Sequence, residues 1–321
     1  MELQTKIPLE KQSENQIDYN SNVLLIGSCF SDNIGNKLDY FKFQNFQNPF
    51  GILFNTKAIE KLLTNAVSGK AYSEADIFFY KEQWHCFDSH SKLSSTSKED
   101  LLNDLNKRIQ LTNQQIQKCS HVVITLGSAW VYRFAETNQV VANCHKVHQK
   151  QFQKELLSID AIYQSLKNTV EAIRSVNAQV SFIFTVSPVR HLKDGFVENT
   201  QSKAHLILAI HKLLNQNSLL VKQTMAYFPS YELIMDELRD YRFYNEDMIH
   251  PNNLAINYIW EKFKEVWISE YAYDIIDKVG AIQKGLQHKA FNPTSKAHQK
   301  FLQNLEAEIT QLQMQCPHIE F

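Results

Sequence analysis

The chain has 321 residues, with 33 Lys and Arg against 34 Asp and Glu, so its formal net charge at pH 7 is -1. A chain this close to neutrality has no extended field with which to attract nucleic acid or anionic lipid, and we expect neither as a partner. Its 8 glycines and 7 prolines are about 5% of the residues, against roughly 12% in average proteins. That scarcity excludes collagen-like and loop-rich repeat proteins, and the 44% hydrophobic content excludes disorder.

The N-terminal segment has no apolar stretch typical of a secretory signal. No apolar run approaches the roughly 20 residues that a membrane-spanning helix needs. The 5 cysteines are odd in number and include no CxxC pair, which favours a reducing compartment. We therefore expect a soluble, cytoplasmic protein. Metal-ligating residue types occur around 85–90 and 144–148 without a zinc-type spacing, so we expect no metal and no other cofactor.

Short apolar runs in chain order predict the strands of one sheet. They lie at 22–26, 41–46, 78–86, 121–126, 180–186 and 225–228. Helical spacing of apolar residues predicts helices between and after them at 31–39, 58–67, 101–116, 165–176, 202–214 and 254–267. The pattern Thr96-x-x-Glu99 is typical of a capping box before the third of these helices. The alternation predicts a three-layer α/β/α sandwich with a mainly parallel sheet of about five strands.

The character of the chain changes after residue 270. A polar amphipathic helix is predicted over 295–313, with an apolar stripe along one side. We therefore predict two parts, a domain over 1–270 and a helical C-terminal extension over 271–321. The extension is expected to pack on the domain or on a partner.

The first strand ends at Gly27, and Ser28 follows it directly. Ligands of open α/β sheets bind outside the carboxyl ends of the strands, and a serine at a strand-to-helix turn presents its hydroxyl there. Ser28 is therefore a candidate nucleophile, although a Gly-Ser pair in this position is more often a plain turn. The next residue, Cys29, is an alternative nucleophile or a small buried side chain.

A free serine hydroxyl needs a general base, and the chain offers one near its far end. Asp247 and His250 are three residues apart, just before the helix predicted at 254–267. The carboxylate can bind one ring nitrogen while the other nitrogen faces the serine. An isolated Asp-x-x-His is usually surface chemistry or a helix cap. Its occurrence together with the serine after the first strand predicts a Ser28–His250–Asp247 triad.

Six stretches carry a resemblance to a known family. The stretches are GSCFSDNIG (27–35), NPFGILFN (48–55), ITLGSAWVYR (124–133), VANCHK (141–146), FTVSPVRHLKDG (184–195) and YFPSYELIMDELRDYRFYNEDMIHP (227–251). On these stretches the chain resembles the GSCFA domain family, grouped with the SGNH (GDSL-like) hydrolases, over about residues 20–265. The resemblance implies an SGNH-hydrolase or flavodoxin-like fold. It also implies that Ser28 is the nucleophile, that Asp247 and His250 serve as acid and base, and that the Gly51 amide joins the Ser28 amide in an oxyanion hole.

The sequence departs from the SGNH pattern in two places. An aspartate usually follows the first glycine, where this chain has Ser28, and an asparagine usually stands where this chain has Ala129. The third oxyanion donor is then expected to be Asn143, His145 or Ser128.

Two further residues are candidates for substrate binding. His90 lies in DSHS (88–91), which resembles a further motif of the family, and we expect a role in the substrate pocket for it. Arg190 follows the fourth strand of the sheet, where it either binds a substrate carboxylate or phosphate or pairs with an acidic residue of the segment 235–240.

These residues predict a serine-dependent hydrolase that cleaves an acyl or O-acetyl ester of a small molecule or carbohydrate. Two alternatives remain open at this stage. One is an O-acyltransferase that uses the same triad, and the other is a non-catalytic ligand-binding or scaffold protein, which the missing asparagine favours.

Overall fold

A computed structural model describes residues 4–216 and 224–321 of the chain. Residues 1–3, where the N-terminal segment begins, lie outside that description. The strands in chain order are β1 (Asn22–Gly27), β2 (Gln44–Gln47), β3 (Phe78–Tyr80), β4 (Gln83–His85), β5 (His121–Leu126), β6 (Trp130–Phe134), β7 (Gln139–Val141), β8 (Phe152–Leu156), β9 (Ser181–Val186) and β10 (Met225–Phe228). The longer helices are α1 (Cys29–Tyr40), α2 (Thr56–Val67), α3 (Lys98–Lys118), α4 (Ile159–Arg174), α5 (Phe196–Leu214), α6 (Asn253–Trp267), α7 (Tyr273–Gln287) and α8 (Lys296–Gln315).

Five strands form a parallel central sheet in the order β10-β9-β5-β1-β2. The chain starts near the middle at β1, adds β2 on one side, and then crosses to β5 on the other side. The strand order therefore reverses between β1 and β5. In sheets of this flavodoxin-like order the ligand crevice lies at that reversal, outside the carboxyl ends of the two strands. The sheet confirms the prediction of about five parallel strands.

Helices cover both faces of the sheet because successive strand residues point to opposite sides. Leu24 and Ile26 of β1 join an apolar cluster that includes residues of α2, α3, α4 and α5. Leu25 lies in the cluster on the other face, with Ile34 of α1 and Trp260 of α6. The three-layer sandwich predicted from the sequence is confirmed.

Smaller antiparallel sheets lie outside the central sheet, and the spacing of apolar residues in the sequence did not predict them as separate sheets. The stretch 78–86, predicted as one strand, is the β3–β4 hairpin, because Lys81 and Glu82 take positive φ values of 47° and 63° at its turn. A second small sheet has the order β7-β6-β8.

The N-cap of α3 lies one residue later than the capping box predicted at Thr96. The Ser97 hydroxyl, rather than Thr96, accepts a hydrogen bond from the Asp100 amide (3.1 Å).

The C-terminal helices α7 and α8 pack on the domain. Ile276 of α7 and Leu305 of α8 are buried in the same cluster as Trp260 of α6. The Gln283 side chain also donates a hydrogen bond to the Tyr40 carbonyl at the end of α1 (3.0 Å). Among the helices of the described ranges, none is long and apolar enough to cross a membrane.

Candidate active site at the reversal of strand order

A pocket of about 410 Å³ lies at the carboxyl end of the sheet, beside the reversal of strand order. Its walls come from the turns after β1, β5 and β9, from the start of β6, from the segment before α2 and from the loop before α6. The lining residues are Ser28, Cys29, Ile52, Phe54, Ser128, Trp130, Tyr132, Val189, Arg190, His191, Leu192, Lys193, Asp194, Ile249 and His250.

Asp247 and His250 form a hydrogen-bonded pair at the rim of this pocket. His250 Nδ1 lies 2.6 Å from Asp247 Oδ2, and both side chains are about half exposed. Asp247 Oδ1 accepts hydrogen bonds from the His250 and Ile249 amides, each at 2.9 Å. These amides, with the His250 ring, lower the pKa of Asp247 to about 2, so the carboxylate stays ionised at neutral pH.

The loop that carries the pair is closed on itself. The Asn245 amide donates to the His250 carbonyl (2.8 Å), and Tyr244 pairs with Pro251 in an isolated bridge. In the described residues His250 Nε2 has no hydrogen-bond partner, so that atom remains available to a reacting group.

Ser28 is the N-cap of α1 and is almost fully buried. Its Oγ accepts a hydrogen bond from the Phe30 amide (3.2 Å), and its own amide donates to the Thr125 carbonyl (3.0 Å). Across 4–216 and 224–321, no hydrogen bond joins Ser28 to His250. The fold brings the two residues into one pocket, and the present side-chain conformation uses the Ser28 hydroxyl as a helix cap.

Cys29, the first residue of α1, is half-buried and lines the same pocket. Burial and then the neighbouring Asp32 raise the pKa of the thiol, while Lys203 and the amides of Cys29 and Phe30 act in the opposite direction. Cys29 is therefore largely a neutral thiol at pH 7. Cys29 could therefore act as the alternative nucleophile only if a base removed the proton of its thiol.

The Gly51 amide is engaged in a turn and does not line the pocket. It donates to the Asn48 carbonyl (2.8 Å), and the residue has φ of +72°. A Cβ at this position would lie 2.5 Å from Cβ of His90, so the turn and its neighbour both require glycine. With the Ser28 amide held by Thr125, neither of the two expected amide donors is free in this conformation.

The residues of the VANCHK stretch lie away from the pocket lining. His145 is buried beside Phe78 and His85, with its Nε2 at 2.7 Å from the Cys86 carbonyl, and burial lowers its pKa to about 4. Asn143 Oδ1 accepts from the His145 amide (2.8 Å). The Asn143 side chain thus stabilises the turn at 143–145, and the His145 side chain links that turn to the backbone at Cys86.

The other two polar candidates differ in position. His90 caps the short turn over 91–93, where its Nδ1 accepts from the Lys92 amide (3.2 Å), and it is not among the lining residues. Ser128 does line the pocket, and its Oγ accepts a hydrogen bond from the Trp130 amide (3.0 Å).

The sequence interpretation missed Lys203, which lies beneath the pocket. It is 1% exposed, and its Nζ donates to the carbonyls of Gly127 (2.7 Å) and Ser187 (2.8 Å), just beyond the ends of β5 and β9. Burial lowers its pKa to about 7. The signal was available, because helical spacing places Lys203 on the same side of α5 as the buried Leu206 and Ile210.

His191 is a second residue whose environment only the structure reveals. It lines the pocket, and burial, with the charge of Lys203 as the next cause, lowers its pKa to about 4. It is therefore a neutral imidazole at pH 7. Elsewhere in the described chain no group of three or more His, Cys, Asp or Glu side chains is arranged to hold a metal ion.

The fold and its pocket are those of an open parallel α/β sheet with a candidate ligand site at the reversal of strand order. Residues 22–263 match the profile of the GSCFA family, and residues 279–321 match that of the GSCFA domain protein C-terminal domain, so the chain belongs to the GSCFA family. Among solved structures it is similar to a carbohydrate esterase family 3 protein from Talaromyces cellulolyticus, with 9% identity, a TM-score of 0.37, and coverage of 81% of this chain and 99% of that chain. No curated protein matches it.

Proposed function

We propose that this protein hydrolyses an ester bond through a serine nucleophile, with Ser28, His250 and Asp247 as the triad. The observation that carries the proposal is that Ser28 lines the same pocket as a histidine whose Nδ1 is held by an ionised carboxylate. His250 Nε2 takes the Ser28 proton as the oxygen attacks the acyl carbonyl. Asp247 holds the ring in the required tautomer, and His250 passes the proton to the departing alcohol oxygen as the ester bond breaks. Water that His250 deprotonates then attacks the acyl-serine, which releases the carboxylic acid and restores the Ser28 hydroxyl.

The proposal requires the Ser28 side chain to rotate away from the Phe30 amide. That rotation frees the Phe30 N–H at the start of α1, where the first amides have no partner within the helix. The amides of Cys29 and Phe30 then become the oxyanion donors, in place of the engaged amides of Ser28 and Gly51. The helix dipole adds to their effect on the developing negative charge.

A fluorophosphonate probe with peptide mapping by mass spectrometry tests the nucleophile. We expect label on Ser28 in the wild type and none in Ser28→Ala or His250→Ala. Cys29→Ser is the matched control at the next residue, and its labelling should persist. Equal labelling of the wild type and Ser28→Ala would contradict the proposal, and loss only in the Cys29 variant would transfer the role to the thiol.

The role of Asp247 is tested with an isosteric change. Asp247→Asn places an amide against His250 Nδ1 and favours the wrong tautomer, so kcat should fall roughly 10²- to 10⁴-fold with little change in KM. An unchanged kcat would remove Asp247 from the reaction.

A non-catalytic ligand-binding protein is a second candidate. It is favoured by the Ser28 hydroxyl acting as a helix cap and by the engagement of the Ser28 and Gly51 amides. Saturable binding of an ester without turnover and without labelling would decide for it.

A further inference from the structure

Arg190 places an uncompensated positive charge on the wall of the pocket. It follows β9 and lines the same pocket as Ser28 and His250. Within 4–216 and 224–321 its guanidinium forms no ion pair and donates no hydrogen bond, and its buried Nε has no partner. The acidic residues of the segment 235–240 do not pair with it. A buried guanidinium N–H without an acceptor is costly, which indicates that the acceptor comes from a ligand.

The charges around Arg190 do not cancel its charge. Lys193 is a second cationic lining residue. Of the lining residues in the described chain only Asp194 is acidic, and its carboxylate is bridged by Lys154 Nζ at 2.5 Å. Beneath the pocket, Lys203 is held by two carbonyl oxygens and not by an acid. The pocket therefore favours a ligand with negative charge.

The guanidinium lies over an aromatic ring. Its Cζ lies 6.0 Å from the ring centroid of Phe196, the first residue of α5. It also lines an adjoining cavity of about 270 Å³, together with Tyr244 and with Asp240, whose carboxylate is paired with Arg242 at 2.9 Å and not with Arg190. Arg190 thus stands where the two cavities meet, with space for a substrate group on either side.

We propose that the ligand carries an anionic group, a carboxylate or a phosphate, and that Arg190 binds this group beside the reacting ester. A planar guanidinium donates two parallel hydrogen bonds to either anion, which a lysine cannot do. The substrate class is then an anionic ester, and this statement rests on the proposed hydrolysis. The anion site itself does not depend on turnover.

Two matched pairs of esters test the kinetic part. 4-Nitrophenyl butyrate and mono-4-nitrophenyl succinate differ by a carboxylate on the acyl side, and monoacetylglycerol and acetylglycerol phosphate differ by a phosphate on the alcohol side. We expect a KM that is about 10- to 100-fold lower for the anionic member of at least one pair, a range typical of a charged hydrogen bond. Arg190→Gln should abolish that difference by raising KM for the anionic ester toward the KM of the neutral ester.

Two control variants distinguish the paired hydrogen bonds of the guanidinium from the effect of its positive charge alone. Arg190→Lys keeps the charge and should recover only part of the difference. Arg108→Gln removes an arginine of α3 that is paired with Asp104 and lines neither cavity, and it should leave the difference intact. An equal effect of Arg108→Gln and Arg190→Gln would overturn the proposal, since the total positive charge of the protein would then explain the difference in KM.

Calorimetric titration with succinate and with inorganic phosphate tests the anion site without chemistry. We expect binding of at least one of them by the wild type and an affinity loss of about tenfold or more in Arg190→Gln. If no ester is hydrolysed while this binding is present, the proposed function fails and the anion site stands. Binding and KM ratios that are the same in the wild type and Arg190→Gln would overturn the anion site.

Discussion

At the residue scale, Ser28 has two roles that compete for one oxygen. As a helix cap its Oγ accepts the Phe30 amide, and as a nucleophile the same oxygen must turn to His250. The sequence pointed to the second role because a serine after a strand resembles a nucleophile turn. The first role depends on where α1 begins, which is visible only once the helix is formed.

Ser28→Ala should therefore lower both stability and activity. We expect a loss of about 0.5–2 kcal/mol in the free energy of unfolding, because the first turn of α1 loses its side-chain acceptor. Ser97→Ala removes the equivalent cap of α3, far along the chain from the triad, and should cost a similar amount without loss of labelling. Chemical denaturation and fluorophosphonate labelling of both variants measure the two effects. An activity loss of the same size in both variants would mean that capping alone accounts for Ser28.

At the element scale, β1 and β5 approach so closely that the end of β1 must be glycine. Gly27 has φ of +146°, and a Cβ there would lie 2.1 Å from the Thr125 carbonyl oxygen. That same carbonyl accepts the Ser28 amide. The close approach at Gly27 and the hydrogen bond of the next residue thus hold the candidate nucleophile at the end of the β1–β5 pair.

Gly27→Ala should destabilise the protein by more than about 3 kcal/mol, because a contact with backbone adds to the cost of an unfavourable φ. Gly69→Ala is the matched control, since Gly69 also has a positive φ of +68° but open space around it. Its cost should be about 1 kcal/mol. Denaturant titration measures the free energy of unfolding of both variants. Similar losses would show that the contact with Thr125 adds nothing to the cost of the positive φ.

Lys203 is a second feature at this scale, because its ammonium bridges the chain just beyond β5 and β9. Burial lowers its pKa to about 7, whereas an exposed lysine titrates near 10.4. Between these two pKa values, Lys203 is protonated in the unfolded chain and mostly neutral in the folded protein. The contribution of Lys203 to stability should therefore rise as the pH increases from about 7 to about 10.

Lys203→Met should flatten this rise in the free energy of unfolding. Lys107→Met, at an exposed position on α3, should leave the wild-type slope unchanged. Urea titrations at pH 7, 8, 9 and 10 provide the comparison. Parallel curves for the wild type and Lys203→Met would show that Lys203 does not change its protonation on unfolding over this range.

At the scale of the whole molecule, the division into 1–270 and 271–321 remains a prediction, but the packing argues for joint unfolding. Residues of α7 and α8 belong to the same apolar cluster as α1 and α6. A helix pair that shares its core with the domain loses that core when the domain unfolds. We therefore expect one cooperative transition.

Ile282→Ala tests this expectation, because Ile282 on α7 is 1% exposed in the shared cluster. The variant should lose about 2–5 kcal/mol and shift the whole transition. Leu286→Ala, at a position on the same helix that is 48% exposed, should have little effect. Circular dichroism and tryptophan fluorescence should give coincident curves, and a separate early transition in the Ile282 variant would indicate an independent C-terminal unit.

The sequence by itself determined the class of fold and the edge at which to look for a site. Buried strands and amphipathic helices are local periodic patterns, so 121–126 and 225–228 were predicted with the bounds that β5 and β10 have. The parallel sheet then placed the residues after β1, β5 and β9 at one edge, where Ser28, Ser128 and Arg190 line the pocket.

Only the tertiary structure decided what each of these side chains contacts. It separated Asn143 and His145 from the pocket and engaged the amides of Ser28 and Gly51. It also brought Lys203 beneath two strand ends while leaving Arg190 without an acceptor. Hydrogen bonding, burial and the resulting pKa depend on partners that are distant in the chain, and no local pattern encodes those distances.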